Sequence, residues 1–426
     1  MSGVLGELRE ICGEDDARLA GPGDAVAEVV PGWVARPSAT ADVGRVLGLA
    51  AEHDLHVVIR GAGTKLHWGA PPKAAEVVLD LSRLTGVVEH AAGDLVAVVR
   101  AGTRLADVQA VLARAGQRLA LDEMAEGATI GGAFATGTAG PLRLRYGPPR
   151  DLILGVTMAR ADGTVAKAGG KVVKNVAGYD LARMLTGSYG TLAALTELTV
   201  RLNPLPAARA FVTRPVGTPG EVRRLVMRIK EAHLAPAAME VLCPVPENLR
   251  QYVRLRPVPE PDSLVMLLEG TEEGVASRVA AAQELLGVEA EASDTPPSWW
   301  GRYPFGAGDV ALQVVTPPGQ LFGPVYSMRD AAREAPMRVF CSPGAGILHA
   351  GLSTHETSME RIAAVVNTAR AVAVSHGGFA TVLSAPRQVR DHLDLWGTVD
   401  GEDAMRALKQ QFDPKGVLAP GRYVGG

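Results

Sequence analysis

A glycine-rich loop directly after a short apolar strand constrains the fold more than any other feature of the sequence. The apolar run 57–59 predicts a buried strand, and it leads into residues 60–69, which include Gly61, Gly63 and Gly69. Glycines leave backbone N–H groups open to a ligand, and several N–H groups directed at one place can bind the oxygens of a phosphate or pyrophosphate. The segment therefore predicts an anion-binding loop at the end of a strand.

This loop differs from the two common phosphate-binding loops. A Walker A loop needs Gly-Lys followed by Ser or Thr, whereas here Thr64 comes before Lys65. A Rossmann fingerprint needs a third glycine where Leu66 stands, followed by a helix, and the proline pair 71–72 disfavours an early helix. The sequence thus predicts a phosphate-binding loop that is of neither the Walker A nor the Rossmann type.

A second glycine-rich segment, residues 126–140, has small residues at nearly every position and two apolar anchors, Ile130 and Phe134. Because each glycine disfavours a helix by roughly 1 kcal/mol relative to alanine, a helix is disfavoured here, and we expect backbone that lies flat along an extended ligand. A flexible surface loop is the alternative. Together, the two segments suit a long ligand with a diphosphate in its middle.

The composition is that of a globular protein. The chain has 426 residues, 47% of them apolar, and a formal charge of −3, which gives no basis for binding nucleic acid. Cys12, Cys243 and Cys341 are far apart, so we expect reduced thiols and no metal site. Residues 1–16 lack a signal-peptide pattern, and the apolar stretch 362–374 is interrupted by polar residues. We expect a cytoplasmic protein without direct membrane insertion, so that any membrane association would come through partners.

Short segments with helix or strand periodicity follow one another along the chain and predict an α+β organisation. Helices are predicted over 38–53, 103–115 and 179–186, and strands over 57–59, 77–81, 87–90, 95–101 and 192–202. An Asp-Gly pair at 162–163 predicts a tight hairpin between strands 152–160 and 164–167.

The Pro-containing run 203–206 marks a boundary, after which strand and helix patterns alternate. The predicted elements are 209–213, 221–232, 238–242, 264–269 and 272–286. They indicate a second α+β domain with an antiparallel sheet. Trp299, Trp300 and Tyr303 form an aromatic cluster that we expect to pack in a core or an interface.

Several motifs occur in an order that resembles a known family. They are Arg60-Gly-Ala-Gly-Thr64, Val78-Leu-Asp-Leu-Ser82, Gly127-Ala-Thr-Ile-Gly-Gly132, Arg145-Tyr-Gly147 with Asp151, Lys174-Asn-Val-Ala-Gly-Tyr-Asp-Leu181, Gly187-Ser-Tyr-Gly-Thr191, Leu195-Thr-Glu-Leu-Thr-Val200 and Phe412-Asp-Pro-Lys-Gly-Val-Leu-Ala-Pro-Gly421. The chain resembles the FAD-binding domain of the vanillyl-alcohol oxidase/p-cresol methylhydroxylase (PCMH) superfamily, and within it the glycolate oxidase branch. The similarity covers residues 30–206 and the last fifteen residues well, and the middle of the chain weakly.

The resemblance implies an α+β fold, with a two-subdomain PCMH-type FAD-binding domain and an α+β cap domain of antiparallel sheet plus helices. The implied domains are 1–206 for FAD binding, 207–400 for the cap, and 401–426 as a C-terminal tail that returns to the FAD domain.

The resemblance also implies a set of FAD-binding residues. Loop 60–69 would hold the pyrophosphate, 127–132 and Thr136 would line the ribityl chain and the isoalloxazine edge, and Glu197 and Leu198 would lie beside the flavin or adenine. For Glu197, a solvated carboxylate at a strand end is the alternative. The implied residues are Arg60, Gly61, Ala62, Gly63, Thr64, Leu66, Gly69, Gly127, Ala128, Thr129, Gly131, Gly132, Thr136, Gly140, Glu197 and Leu198.

Covalent flavin attachment would need a histidine or cysteine near the dimethylbenzene edge. The first loop offers His67 and the second offers neither residue type. We therefore expect non-covalent FAD. Lys174, Asn175 and Asp180 are expected to make structural hydrogen bonds near a helix start.

The chain departs from the catalytic members of the branch in its C-terminal half. Catalytic D-type relatives carry a His-x-Gly-Asp-Gly-Asn-x-His run and a Glu-His-Gly run. Here the corresponding segment 344–349 keeps only His349, and no acidic residue precedes His376. Ala419 replaces the usual asparagine of the final signature. Hydroxyacid oxidation needs a base, so His349 is the candidate catalytic residue, with a buried structural histidine as the alternative. No metal site is expected.

These features lead to three functional hypotheses. The first is the FAD-binding subunit of a D-2-hydroxyacid (glycolate-type) dehydrogenase or oxidase, partnered by a catalytic D-type flavoprotein subunit and an iron–sulfur F-type subunit. The second is a self-sufficient FAD-dependent oxidoreductase acting on a small 2-hydroxyacid. The third is a non-catalytic scaffold subunit.

Overall fold

The computed structural model describes residues 2–171, 178–243, 262–355 and 357–424. The chain forms two compact units. The first unit comprises Met1–Ala139, Gly147–Leu205 and Val399–Gly426, and the second comprises Gly140–Tyr146 and Pro206–Thr398.

The first unit contains seven of the α-helices and eleven of the strands in the described part of the chain. Its helices are α1 (Ser2–Cys12), α2 (Thr40–Glu52), α3 (Leu105–Ala113), α4 (Ile130–Thr136), α6 (Pro149–Leu152), α7 (Leu181–Leu185) and α13 (Glu402–Phe412), with α5 (Arg143–Tyr146) belonging to the second unit. Its strands are β1 (Ala17–Leu19), β2 (Trp33–Ala35), β3 (Val57–Arg60), β4 (Val77–Asp80), β5 (Val87–Ala91), β6 (Val96–Arg100), β7 (Gln117–Arg118), β8 (Ile153–Ala159), β9 (Val165–Gly169), β10 (Ala194–Arg201) and β11 (Asn203–Pro204).

Two sheets organise the first unit. One has four strands in the order β1-β2-β4-β3, with β4 parallel to both β2 and β3. The other has five antiparallel strands in the order β5-β6-β10-β8-β9. The predicted hairpin is confirmed, because β8 and β9 pair directly and Gly163 adopts a φ of 83°, which suits a tight turn.

The C-terminal tail packs into the first unit. Val57 donates its backbone N–H to Val417 O at 2.7 Å, and Ala419 donates to Val57 O at 2.9 Å. Val417 and Leu418 are buried in the same core as the apolar face of α2. Burial of these side chains fixes the tail beside the strand that leads into the first glycine-rich loop.

The second glycine-rich segment contains a helix, although its composition disfavours one. Residues 130–136 form α4, whose N-cap Thr129 accepts a hydrogen bond from Gly132 N. Ile130 and Phe134 are fully buried, and a Cβ on Gly131 would lie only 2.7 Å from Ala101 Cβ. Burial of the two apolar anchors and this close approach offset the low helix propensity of glycine, which is why the composition was misleading.

The helix predicted over 103–115 begins later than expected. The helix begins at Leu105 with Arg104 at the N-cap position, whereas the Thr103 hydroxyl donates to Arg100 O at 2.6 Å. Thr103 therefore stabilises the turn before the helix.

The second unit is built on an eight-stranded sheet in the order β15-β12-β14-β13-β17-β18-β16-β19, in which every described pairing is antiparallel. Its strands are β12 (Ala208–Pro215), β13 (Ala238–Leu242), β14 (Ser263–Gly270), β15 (Glu291–Ser293), β16 (Asp309–Val315), β17 (Met337–Ser342), β18 (Ile347–Ser353) and β19 (Phe379–Ser384). Besides α5, its helices are α8 (Pro219–Glu231), α9 (Glu272–Leu286), α10 (Phe322–Ala332), α11 (Met359–Ser375) and α12 (Arg387–Arg390). The expected antiparallel α+β character of this region is confirmed.

The aromatic cluster packs inside the second unit. Trp299 is buried, and its ring centroid lies 5.3 Å from that of Phe340. Trp300 contacts Phe211 edge-on at the same centroid distance. Trp299 therefore belongs to the core cluster of this sheet, and the partly buried Trp300 packs against that cluster. In the described part of the chain, no helix is both long enough and apolar enough to span a bilayer.

Candidate cofactor site

A cavity of about 730 Å³ lies in the first unit beside the glycine-rich loop that follows β3. The start of α4 and the segment leading into β10 complete its walls. The residues that line it are Ile59, Gly61, Ala62, Gly63, Thr64, Lys65, Leu66, Leu81, Ala101, Thr129, Gly131, Gly132, Ala135, Thr136, Tyr189, Gly190, Ala193, Leu195 and Arg422. The fold thus brings the two glycine-rich segments to one cavity, although they are far apart in sequence.

More than half of the sequence-predicted site residues line this cavity. They are Gly61, Ala62, Gly63, Thr64, Leu66, Thr129, Gly131, Gly132 and Thr136. The loop needs glycine at two of these positions for different reasons. A Cβ on Gly61 would clash with Thr129 Oγ1, and Gly63 has a φ of 76°, which favours glycine.

Two cationic side chains line the same cavity while being almost fully buried. Lys65 is 7% exposed and Arg422 is 4% exposed. Arg422 Nη2 donates to Leu66 O at 2.8 Å, whereas its Nη1 has no hydrogen-bond partner among the described residues. Lys65 Nζ lies 6.0 Å from the ring centroid of Trp68 and makes no hydrogen bond within the described ranges. Buried cations normally have a paired anion, so the cavity has the charge of an anion-binding site.

Burial affects the pKa of both cations. It lowers the pKa of Lys65 to about 8, although the charge of Glu123 acts in the opposite direction. Burial also lowers the pKa of Arg422 to about 10, partly offset by Tyr189. An anion placed in the cavity would reverse both effects because it favours the charged forms.

Tyr189 forms part of the cavity wall in an unusual backbone conformation. Its φ of 57° lies in the left-handed region, and its ring stacks on Tyr423 with centroids 5.0 Å apart. Burial raises the pKa of Tyr189, so the phenol is neutral at physiological pH. A strained backbone that directs an aromatic ring into a cavity is typical of a ligand site.

The remaining predicted residues do not line the cavity. Arg60 forms ion pairs with Asp24 at 3.0 Å and Asp80 at 2.7 Å, which fix the end of β3. Gly127 donates its N–H to Glu123 Oε1 at 2.6 Å. Gly69 lies in a turn with a φ of 75°.

Four further predicted residues also lie outside the cavity lining. Ala128 and Leu198 are buried in the core of the first unit, and Gly140 belongs to the second unit. Glu197 accepts a hydrogen bond from the Thr157 hydroxyl at 3.1 Å. The Asp180 carboxylate caps α7 by accepting a hydrogen bond from Arg183 N, which is a structural role as expected. Lys174 and Asn175 lie outside the described residues.

Sequence reasoning missed several residues of the cavity, above all Lys65, Tyr189 and Arg422. Tyr189 lies inside the motif 187–191, and Arg422 directly follows the motif 412–421. These motifs were the available signal. The convergence of their side chains on the first loop depends on how the C-terminal tail pairs with β3, which sequence spacing does not show.

His349, the candidate base, lies in the second unit on β18. Its Nε2 lies 3.1 Å from the Gln313 amide nitrogen, and its ring meets Tyr303 edge-on at 5.2 Å. Burial lowers the pKa of His349 to about 4, with the charge of Arg143 as a second cause. The imidazole is therefore neutral at physiological pH and accepts from Gln313. No group of three or more potential metal ligands occurs within the described ranges.

Comparison with protein families agrees with the position of the cavity. A family model described as an FAD binding domain matches residues 31–169, which include both glycine-rich segments. A second family model, described as the C-terminal domain of FAD linked oxidases, matches residues 390–423 and thus includes Arg422.

Two curated relatives span most of the chain. The glycolate oxidase subunit GlcE of Escherichia coli (strain K12) is 31% identical over 369 residues, which are 86% of this chain and 92% of that protein. The glycolate oxidase subunit GlcD of Bacillus subtilis (strain 168) is 27% identical over 420 residues, covering 92% and 89% respectively. The chain is thus an FAD-linked oxidoreductase by class, and it belongs to the family that contains these glycolate oxidase subunits.

A solved structure of p-cresol methylhydroxylase with substrate bound is similar to the whole chain. The TM-score is 0.75 at 16% identity, and the match covers all of this chain and 96% of that one. At this identity the likeness shows the fold alone, and it confirms the predicted α+β class. The FAD expected from the sequence is supported by the family.

Proposed function

We propose that this chain is the FAD-binding subunit of a D-2-hydroxyacid dehydrogenase or oxidase of the glycolate type. The observation that carries the proposal is the pair of buried cations, Lys65 and Arg422, beside open glycine-rich backbone. A diphosphate supplies the anionic charge that these side chains lack, and a glycine loop supplies N–H donors. Flavin chemistry, once FAD is bound, supplies acceptance of a hydride from a substrate carbon.

The residues of the cavity have separable tasks in this proposal. The N–H groups of 61–64, Lys65 and Arg422 would hold the diphosphate. Tyr189, Leu81 and Leu195 would contact apolar parts of the cofactor and exclude water. No histidine or cysteine lines the cavity among the described residues, which supports non-covalent binding. The domain division 1–206, 207–400 and 401–426 is part of the same proposal.

The proposal assigns the acid–base chemistry of the hydroxyacid reaction to a partner subunit. His349 is neutral but, with its pKa lowered to about 4, it is a weak base. Efficient general bases have a pKa near the working pH. The proposed partners are therefore a catalytic D-type flavoprotein subunit and an iron–sulfur F-type subunit, with a cytoplasmic location.

A self-sufficient hydroxyacid oxidoreductase is the second candidate function. The observation that favours it is the neutral His349, oriented by Gln313 and Tyr303 within the second unit. A neutral imidazole can accept a proton, so the isolated chain would then oxidise a small 2-hydroxyacid by itself. A scaffold without flavin is the third outcome.

Flavin content tests the proposal directly. The purified chain should be yellow and release FAD on denaturation, without a covalent adduct. Gly63→Glu should abolish FAD binding, because a carboxylate beside a diphosphate adds a like charge in a poorly solvated place. Gly63→Gln is the matched control, since it brings the same bulk and the same backbone strain at φ 76° without the charge.

The outcomes separate the three functions. A colourless protein that takes up no added FAD would exclude both flavoprotein functions. Equal FAD affinity for Gly63→Glu and Gly63→Gln would place the diphosphate away from the first loop. A flavoprotein that oxidises glycolate or D-lactate without partners would favour the self-sufficient enzyme.

A further inference from the structure

Two buried cysteine thiols are in direct contact inside the second unit. Cys243 follows β13, and Cys341 lies on β17, the neighbouring antiparallel strand. Their sulfur atoms are 2.9 Å apart. The two residues are 1% and 0% exposed, and 98 positions separate them in the sequence. The fold thus brings together two thiols that the sequence keeps far apart.

The strand pairing holds both thiols in place. Cys341 stands opposite Val241 in the β13–β17 register, and Cys243 donates its backbone N–H to Val339 O at 2.9 Å. The two cysteines are therefore diagonal neighbours on the same face of the sheet. Because the sulfurs are already 2.9 Å apart in this register, a bond between them is compatible with the observed strand pairing.

A buried cation lies beside the thiol pair. Arg329 of α10 is 4% exposed and donates to Cys243 O at 2.5 Å and to Met337 O at 3.2 Å. Its charge favours the thiolate form of Cys341, but burial and the neighbouring Cys243 are the stronger influences and raise the pKa of Cys341. At neutral pH the Cys341 thiol is therefore protonated, and both buried thiols are protected until the sheet opens locally.

We propose that Cys243 and Cys341 form a redox-active dithiol that closes to a disulfide when a hydroperoxide reaches it. When the sheet opens locally, one thiol loses its proton and the resulting thiolate sulfur attacks one oxygen of the O–O bond. That bond breaks, and with hydrogen peroxide the products are a sulfenic acid and water. The second sulfur then attacks the sulfenic sulfur and displaces its oxygen as a second water. Two thiols are oxidised, one peroxide is reduced to two waters, and both thiol protons leave in those waters.

The contact between the sulfurs determines the product. A sulfenic acid with a thiol at contact distance forms a disulfide, whereas an isolated one is oxidised further to sulfinic acid. Because the bond would close a loop of 98 residues, it would constrain the unfolded chain and stabilise the second unit. Cys12 provides an internal comparison, since it is a single half-buried thiol in the first unit.

The test is hydrogen peroxide treatment of the folded full-length chain, followed by alkylation in denaturant and non-reducing peptide mapping. We expect one new cross-linked peptide pair containing Cys243 and Cys341, with a mass loss of about 2 Da. The unfolding midpoint should rise by about 5 °C or more and return to its starting value after dithiothreitol. The Cys12→Ser variant should give the same cross-link and the same shift of the unfolding midpoint as the protein without substitutions.

Single substitutions distinguish a reaction between the two cysteines from independent oxidation of each one. Cys243→Ser and Cys341→Ser should each remove the cross-link and the reversible shift. If either variant fails to fold, peptide mapping of the peroxide-treated protein without substitutions decides whether the cross-link forms. Sulfinic acid at either cysteine without a cross-link, a disulfide that involves Cys12, or no modification while Cys12 oxidises would overturn the proposal. This test does not involve FAD and is independent of the proposed function.

Discussion

At the scale of single residues, Arg422 has the most unusual environment in the first unit. Its guanidinium is buried, two carbonyls accept from Nη2, and Nη1 has no partner among the described residues. A buried donor without a partner costs about 1–3 kcal/mol, and a charged one costs more. The chain therefore keeps an unfavourable group at a cavity wall, which is expected where a ligand completes the interaction.

Replacing Arg422 should separate cofactor binding from stability. Arg422→Met keeps much of the buried volume and removes the charge, so FAD affinity should fall by on the order of 100-fold. The apoprotein should be as stable as the unmodified chain or more stable, because an unpaired buried charge is gone. Flavin fluorescence titration and thermal unfolding measure the two effects. Arg223→Met, at an exposed position of α8, is the control, and an unchanged affinity in Arg422→Met would contradict the assignment.

Lys65 should make cofactor binding depend on pH. Because its pKa in the folded chain is about 8, below the usual value, the ammonium that attracts the diphosphate is lost as the pH rises above 8. FAD affinity should therefore fall by on the order of tenfold between pH 7 and 9.5. Lys65→Met should bind more weakly at pH 7 and lose this dependence. Titrations at fixed ionic strength measure it, and an identical pH profile for both proteins would contradict the role of Lys65.

The same pKa shift has the opposite consequence for the apoprotein. Below pH 8 both the folded and the unfolded chain carry the proton, so the full burial penalty is present. Between pH 8 and the usual lysine pKa the unfolded chain binds the proton and the folded chain does not. The contribution of Lys65 to the free energy of unfolding therefore rises with pH in this window.

At the scale of elements, the C-terminal segment after α13 forms a clamp that positions Arg422. The Asp413 side chain is fully buried and accepts from Val417 N at 2.8 Å and Leu418 N at 2.7 Å. Lys409 Nζ pairs with the same carboxylate and also donates to Thr191 O and Leu418 O, both at 2.8 Å. One buried ion pair thus connects α13, the tail and the segment before β10.

Removing one partner of this clamp should loosen the tail. Asp413→Ala leaves Lys409 buried without an anion and frees two backbone N–H groups, so it should destabilise the chain by about 3–5 kcal/mol. FAD affinity should fall as well, because Arg422 lies on the segment that the clamp holds. Denaturant unfolding and flavin titration measure both effects. Asp403→Ala on the same helix is the control, since that side chain is fully exposed, and a loss below about 1 kcal/mol would contradict the clamp.

Helices and strands with clear periodicity were predictable from the sequence. The predicted helix 272–286 has the bounds of α9, and the strand 238–242 has those of β13. The helix α4 was not predictable from composition, because its stability depends on burying Ile130 and Phe134 and on the approach of Gly131 to Ala101. Local propensity fails where tertiary packing provides most of the stabilisation.

At the scale of the whole molecule, the motifs of the sequence were sufficient to predict the first glycine-rich loop of the cofactor site. They did not predict the charged side chains of the site, Lys65 and Arg422. Gly61 and Thr129 were both expected near a cofactor, and they line one cavity. Lys65 and Arg422 are separated by most of the chain, and Arg422 reaches the cavity only because the tail pairs with β3. Long-range pairing of this kind has no signature in local spacing, since each partner is compatible with many others.

The cofactor cavity and the candidate base belong to different units, and this leads to an expectation for catalysis. The two buried cations of the cofactor cavity, Lys65 and Arg422, are in the first unit, whereas the candidate base His349 is in the second, where burial and Arg143 lower its pKa to about 4. A hydride transfer without a well-matched base loses on the order of 10²–10⁴-fold in rate. We therefore expect the isolated chain, loaded with FAD, to oxidise glycolate and D-lactate far more slowly than about 10 s⁻¹, an ordinary turnover number.

The measurement is steady-state turnover of the FAD-loaded chain with an artificial dye as electron acceptor. His349→Ala should leave the low rate and the FAD content unchanged, and His53→Ala, at an exposed position of the first unit, serves as the control. Addition of the proposed catalytic and iron–sulfur subunits should raise turnover in the same assay. Ordinary turnover by the lone chain that disappears in His349→Ala but persists in His53→Ala would instead make His349 the base of a self-sufficient enzyme. Its Nε2 would then have to release the Gln313 hydrogen bond and take the hydroxyl proton as the hydride leaves the substrate carbon.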